Sequence, residues 1–455
     1  MRWKLSLLVL VSLLAGLVAA APASAAAPPR NFTGAIDGAP FQIDVPQPWN
    51  GTLVLYSHGY EAPSPSPRGT PVDAPDPVSR AWLLGRGYAL AASAYRTQGW
   101  AVAEALVDQV RLLDHFDRLG LGRPARTIAW GASLGGMITA GLIQRDPRRF
   151  TAALPMCGVL AGGVGTWNAG LDGEFVFKTL VAPSAPLQLV DIANPGANAG
   201  LALQLLTAAQ ATPQGRARLA LAAAVGDTPG WFQPGTPEPP ARDFADRERN
   251  QFLWDQNPDF FFLFALRREL ELRAGGNPSW NTGVSYREQL ERSANRDEVR
   301  ALYRGAGLDL EADLRALAAA PRIAASPAAV DYLRRFIVYD GRLHQPVLTV
   351  HTTGDGLVPN QNEQAYASVV RAAGDERLLR QAFVGRAGHC SFTPGELVAA
   401  FRALVHRLDT GRWDDRTTPA ALNAAAASLG LGPSAFVRFE PTRFLRPFDA
   451  RRDDE

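Results

Sequence analysis

The apolar positions of this chain fall into two periods. Short, nearly continuous apolar runs occur at Gly51–Ser57, Tyr88–Tyr95, Arg126–Gly131, Thr151–Cys157, Pro346–His351 and near Leu378–Val384. Each is four to eight residues long and is bounded by Gly, Pro or polar clusters, the pattern of a strand buried on both faces. Between them the spacing lengthens to the helical period. Val102, Leu106, Val110, Leu113 and Phe116 mark one helix over Val102–Leu119 that stops at Gly120. Others are expected over Val78–Arg86, from Gly136 to Gln144, over Glu363–Ala372 and over Glu396–Leu408. Phe32–Val45 alternates about Asp37-Gly38 and reads as an antiparallel hairpin. Strands alternating with helices predict an α/β fold with a mainly parallel sheet covered on both faces.

The rhythm breaks from about Gly158 to His344. Gly162-Gly163-Val164-Gly165 opens the stretch. Ala/Leu-rich helical pieces follow, with two aromatic clusters at Phe252-Leu253-Trp254 and Phe260–Phe264. Residues 30–157 and 345–408 are therefore expected to form two halves of one core, and 158–344 a mostly helical cap inserted between them. Residues 409–455, rich in Arg and Pro, are expected to drape over the surface, with a short helix at Ala420–Leu429 between Pro419 and Gly430.

With 455 residues and 47% hydrophobic content, the chain can bury a large core. Its 46 basic and 44 acidic residues nearly cancel, and it carries neither a basic run nor a Cys/His cluster at zinc spacing. Nucleic-acid binding and a structural metal are thus not expected. Arg2 and Lys4, an apolar stretch from Leu5 to about Ala20, and Ala23-Ser24-Ala25 have the form of a secretory signal over residues 1–25. A retained membrane anchor is the competing reading; the small-residue cleavage site and Pro28-Pro29 favour removal. The mature chain is then expected outside the cell, with no second membrane span. An oxidising compartment permits a bond between Cys157, which ends a strand, and Cys390; two unpaired buried thiols are the alternative.

The chemistry centres on Gly131-Ala132-Ser133-Leu134-Gly135, placed between a strand and a helix. A G-x-S-x-G in that context makes a turn so tight that only small residues fit two before and two after the serine. It lifts the Ser133 hydroxyl above the sheet edge and aims a helix N-terminus at a developing oxyanion. A hydroxyl nucleophile needs a base, and the base needs a group to fix it. Asp355, in Gly354-Asp355-Gly356 just past a strand end, is the candidate acid. His389, in Ala387-Gly388-His389-Cys390 after the next strand, is the candidate base. The other five histidines suit the role less: His58 precedes the elbow, His115 and His406 lie in helices, His351 lies within a strand and His344 at the cap exit. His58-Gly59-Tyr60 follows an early strand, so the backbone N–H of Tyr60 and that of Leu134 are the candidate oxyanion donors.

This ordered set resembles the α/β-hydrolase superfamily over residues 30–157 and 345–408. The resemblance implies a Ser133-His389-Asp355 triad and no metal or organic cofactor. The chain is also partly similar to the secreted tannase and feruloyl-esterase group, which bonds a cysteine beside the catalytic serine to one after the catalytic histidine. His389-Cys390 matches the second half of that pattern. Ala132 stands at the first position, which leaves Cys157 as the partner of Cys390. Trp167, Phe175, Phe177, Trp254 and the stretch Phe260–Phe264 are candidates for an apolar substrate pocket, against the alternative that the cap's aromatics form its own core. The expected activity is cleavage of a moderately hydrophobic, uncharged carboxylic ester, in a small molecule or polymer, through an acyl-enzyme. A serine peptidase, an acyltransferase and a catalytically dead binding module are the alternatives.

Overall fold

The computed structural model describes residues 28–65 and 71–448; the expected signal at 1–25 lies outside them. One sheet holds nine strands in the order β1-β2-β4-β3-β5-β6-β7-β8-β9. They are β1 (Arg30–Ile36), β2 (Ala39–Val45), β3 (Thr52–Ser57), β4 (Ala89–Ser93), β5 (Arg126–Ala132), β6 (Ala152–Met156), β7 (Val347–Gly354), β8 (Leu379–Ala387) and β9 (Phe436–Val437). Strands β3 to β8 run parallel, and antiparallel strands flank them at both edges. The β1–β2 turn uses positive φ at Asp37 and Gly38, the geometry that matches a hairpin to strand twist.

Alternation along each central strand sends its side chains to two cores. Leu53 and Leu55 of β3 join one layer with Leu106, Met137 and Val370. Val54 and Tyr56 of the same strand join the other with Leu83, Trp130 and Phe401. Three helices of the first half supply much of this cover: α1 (Pro77–Leu84), α2 (Val102–Arg118) and α3 (Leu134–Arg145). α1 starts on Asp76, whose carboxylate accepts from the N–H groups of Val78 and Ser79.

Between β6 and β7 the chain runs through a series of helices, from α4 (Gly162–Leu180) to Pro327–Arg335. They have a hydrophobic centre of their own around Phe177, Leu221, Phe264 and Tyr303. Polar contacts fasten them to the sheet layer: Glu269 accepts from the Trp100 N–H at 2.9 Å, and Arg273 pairs with Glu104 at 2.7 Å.

The C-terminal segment does more than drape over the surface. After the helix Pro419–Leu429, β9 pairs with β8. Phe444 is then buried, and Arg446 donates to both carboxylate oxygens of Asp172 on α4, at 2.8 and 2.7 Å. Asp172 is fully buried and draws its counter-charge from 274 residues away, which no local pattern announces. Nearby, the Leu445 N–H donates to the buried Asp227 carboxyl at 3.3 Å.

Burial pushes the Asp227 pKa up from 3.8 to about 8, against a small opposing effect of the Leu445 N–H. The unfolded chain therefore loses this proton first as pH rises, and stability falls between about pH 4 and pH 8. Asp227→Asn keeps an acceptor for Leu445 and removes the ionisation. The gain in Tm over the parent should be absent at pH 4, reach a few degrees at pH 8 and level off above it. Thermal melts across that range check the trend.

Candidate active site

Ser133 sits between β5 and α3 with φ 59° and ψ −125°, a strained conformation for a residue with a β-carbon. The surroundings enforce it. The Ser133 N–H donates to Met156 O at 3.0 Å, and its carbonyl accepts from Gly136 N–H at 2.9 Å. A β-carbon on Gly131 would lie 2.3 Å from Gly135 O, and one on Gly135 would lie 2.0 Å from Ser57 O. Gly135→Ala should therefore push the elbow off β3, destabilising the fold by about 3 kcal/mol and lowering turnover. Urea melts and kcat measured on the same preparation check both effects.

The ends of β7 and β8 bring two more side chains to this point. His389 Nε2 lies 2.8 Å from Ser133 Oγ, and His389 Nδ1 lies 2.8 Å from Asp355 Oδ2. Asp355 is fully buried, and its other oxygen accepts from the Val358 N–H at 3.0 Å. Burial alone would raise its pKa. The charge of His389 and the bonds to His351 and His389 outweigh that, holding the carboxyl below its usual range.

The His389 loop is pinned on several sides. Gly388 has φ +98°, donates to Gly354 O at 2.9 Å and accepts from Thr352 Oγ1 at 2.7 Å. Cys390 is bonded to Cys157, with Cα atoms 5.4 Å apart, which ties the loop to the end of β6. Gly59 passes directly over Ser133; a β-carbon there would stand 3.3 Å from the serine β-carbon. Tyr60 and Leu134 both border the same cavity as Ser133. Leu134 is the first residue of α3, so its N–H has no partner within the helix.

That cavity encloses about 130 Å³. Its wall is largely apolar and includes the aromatic rings of Tyr60, Trp100, Trp167, Phe260 and Phe262. Of the aromatics expected there, Trp167, Phe260 and Phe262 border it, whereas Phe175, Phe177 and Trp254 do not. The cavity side of α4 follows positions 166, 167, 169, 170, 173 and 174, one broad stripe at helical spacing. Phe175 falls beyond that stripe and stacks on Tyr286 at 5.4 Å, in the hydrophobic centre of the helices between β6 and β7. Trp254 instead backs the loop that carries Asp355. A β-carbon on Gly356 would lie 2.3 Å from its indole, and its Nε1 donates to Trp231 O at 2.9 Å.

Sequence reasoning missed Asp255, Asp259 and Phe444, which also border the cavity. Burial drives the pKa of both acids well upward; Glu248 adds to this at Asp255, and Asp255 and Asp355 add to it at Asp259. In both, burial favours the protonated form of the acid. Among the described residues no cluster of His, Cys, Asp and Glu could hold a metal ion, and no helix is long and apolar enough to cross a membrane.

The o-phthalyl amidase of Xanthobacter agilis is 30% identical over 436 residues, spanning 88% of this chain and 91% of that protein. The chain belongs to the α/β-hydrolase superfamily of serine hydrolases. The model of the prolyl oligopeptidase family matches residues 84–161, the part of this hydrolase from the end of α1 through the elbow to the residue before α4. Solved structures similar to it include a rice cell wall degrading esterase from Xanthomonas oryzae. That match has 14% identity and a TM-score of 0.37, over 82% of this chain and 85% of that one. Another is the Pyrococcus horikoshii acylaminoacyl peptidase, with 11% identity and a TM-score of 0.36 over 94% of this chain, which spans 44% of the peptidase.

Proposed function

We propose that this hydrolase cleaves small carboxylic esters through an acyl-enzyme on Ser133. The observation that carries the reading is His389 held 2.8 Å from both Ser133 Oγ and Asp355 Oδ2. His389 Nε2 takes the hydroxyl proton as Oγ bonds to the substrate carbonyl carbon. The N–H groups of Leu134 and Tyr60 hold the oxyanion that forms. As it collapses, His389 returns the proton to the departing alcohol, leaving the acyl group on Ser133. Water, deprotonated by His389, then attacks that ester and releases the acid.

The acyl group enters the aromatic cavity. Its size of about 130 Å³ is close to that of an apolar cavity known to take up one benzene ring, at ~150 Å³, so acyl groups built on a single ring fit best. Trp167 and Phe262, stacked at 5.7 Å, form one of its flat walls. The same chemistry cleaves an amide. The relationship to an amidase favours this as a second reading, with an amine departing in place of an alcohol. In both readings the chain is exported. The pattern over residues 1–25 and the Cys157–Cys390 bond support this.

A fluorophosphonate probe should label the protein at Ser133. Esters and amides that share one aromatic acyl group, assayed side by side, decide between the readings. Faster ester turnover across acyl sizes, with a maximum at a single ring, is the expected result. Turnover of the amides alone would overturn the ester reading.

A further inference from the structure

Behind Asp355 lies a second, completely buried histidine that the triad chemistry does not use. His351 stands on β7, four residues before Asp355, with no exposed surface. Its Nε2 is 2.9 Å from Val358 O and 3.6 Å from Asp355 Oδ2. Its Nδ1 is 3.2 Å from Glu363 Oε1. A backbone carbonyl can only accept, so Nε2 must carry a proton. Glu363 is also fully buried, and its Oε2 already accepts from Thr349 Oγ1 and from Gln381 Nε2, each at 2.5 Å. Two donors on one oxygen favour the ionised carboxylate, so Nδ1 carries a proton as well. Both ring nitrogens then donate, which only the imidazolium form can do.

We propose that His351 is a positioning residue: a buried imidazolium, balanced by Glu363, that keeps Asp355 ionised and fixed beneath His389. The inference rests on the reading of Ser133, His389 and Asp355 given above. Charge then alternates inward from the serine whenever His389 holds the transferred proton: His389 positive, Asp355 negative, His351 positive, Glu363 negative. His351 keeps both protons throughout, so no bond to it forms or breaks. Its task is to offset the cost of holding Asp355 as an anion with no exposed surface. Burial by itself lowers the His351 pKa, but the carboxylates of Asp355 and Glu363 more than reverse this and take it to about 10. The remaining titratable group at Asp355 comes from the cap. Burial, with the charges of Asp255 and Asp355, drives the pKa of Asp259 well upward, which disfavours a second anion beside Asp355.

The arrangement has two readouts that a merely structural histidine would not move. The first needs no variant. In protein with ¹⁵N-labelled histidine at pH 8, one of the six histidines should show both ring nitrogens protonated, with slow solvent exchange. Six neutral rings at that pH would overturn the proposal. The second is the pH profile. In His351→Gln the uncompensated charges of Asp355 and Glu363 hold the His389 proton more tightly. The acid limb of kcat/KM should move up by about one pH unit. kcat should fall at least tenfold, with KM little changed. Glu363→Gln removes an anion and should not move the limb upward. Equal profiles in His351→Gln and the parent would refute the role. A Ser133→Ala protein that stays active would instead refute the triad reading and leave the ring protonation of His351 as a separate result.

Discussion

Ser133→Ala lowers kcat on a short aryl ester by about 10⁴ to 10⁶-fold and abolishes labelling by a fluorophosphonate. The variant loses one oxygen atom and no packing, since Ser133 Oγ faces His389 and the cavity. The oxyanion donors and the aromatic wall remain, so a residual rate well above that in water persists. KM changes little, because ground-state contacts come from the cavity. His389→Ala should cost a similar factor, and the double variant hardly more, because the two side chains act as a unit. Steady-state rates for the three proteins, with circular dichroism to establish folding, provide the measurement. A Ser133→Ala protein retaining a tenth of the parent kcat would end the assignment.

Replacing Cys157 and Cys390 together by serine destabilises the fold by about 2–5 kcal/mol and lowers kcat. The bond joins residues 233 apart in sequence, so its loss frees a large loop in the unfolded chain. In the folded chain it ties the end of β6 to the residue after His389. Without it, His389 keeps its bond to Asp355 but loses one of the restraints on the path of its loop. The drop in kcat should therefore be about tenfold, smaller than for a lost triad member. Guanidinium melts and kcat on the double variant test this. An unchanged midpoint together with unchanged kcat would show that the remaining contacts suffice.

The part of the site legible in the sequence is the part specified by local chain geometry. Gly131 and Gly135 announce an elbow because no other residue clears the neighbouring backbone atoms at 2.3 and 2.0 Å. Asp355 and His389 could be placed because parallel strands of a β/α alternation end at one edge, so loops after successive strands converge there. The expected pairing of Cys157 with Cys390 follows from the same convergence. The pocket was less legible. Trp167 and Phe175 are both aromatic and lie on one helix, but Trp167 falls at the edge of its cavity-facing stripe and Phe175 just beyond it. Trp254 stands out in the sequence as part of an aromatic stretch, whereas its place is fixed by the close approach of Gly356.

The sequence by itself determined the α/β architecture, the order of the elements that carry Ser133, Asp355 and His389, and the near-neutral net charge, because apolar period and tight-turn chemistry act over a few residues. Tertiary structure decided which aromatics meet the substrate, that the C-terminal segment reaches Asp172 through Arg446, and that His351 and Glu363 stand behind Asp355. These depend on the packing of distant segments. A buried charge draws its partner from whatever element lies beside it in space, and no periodicity along the chain records that neighbour.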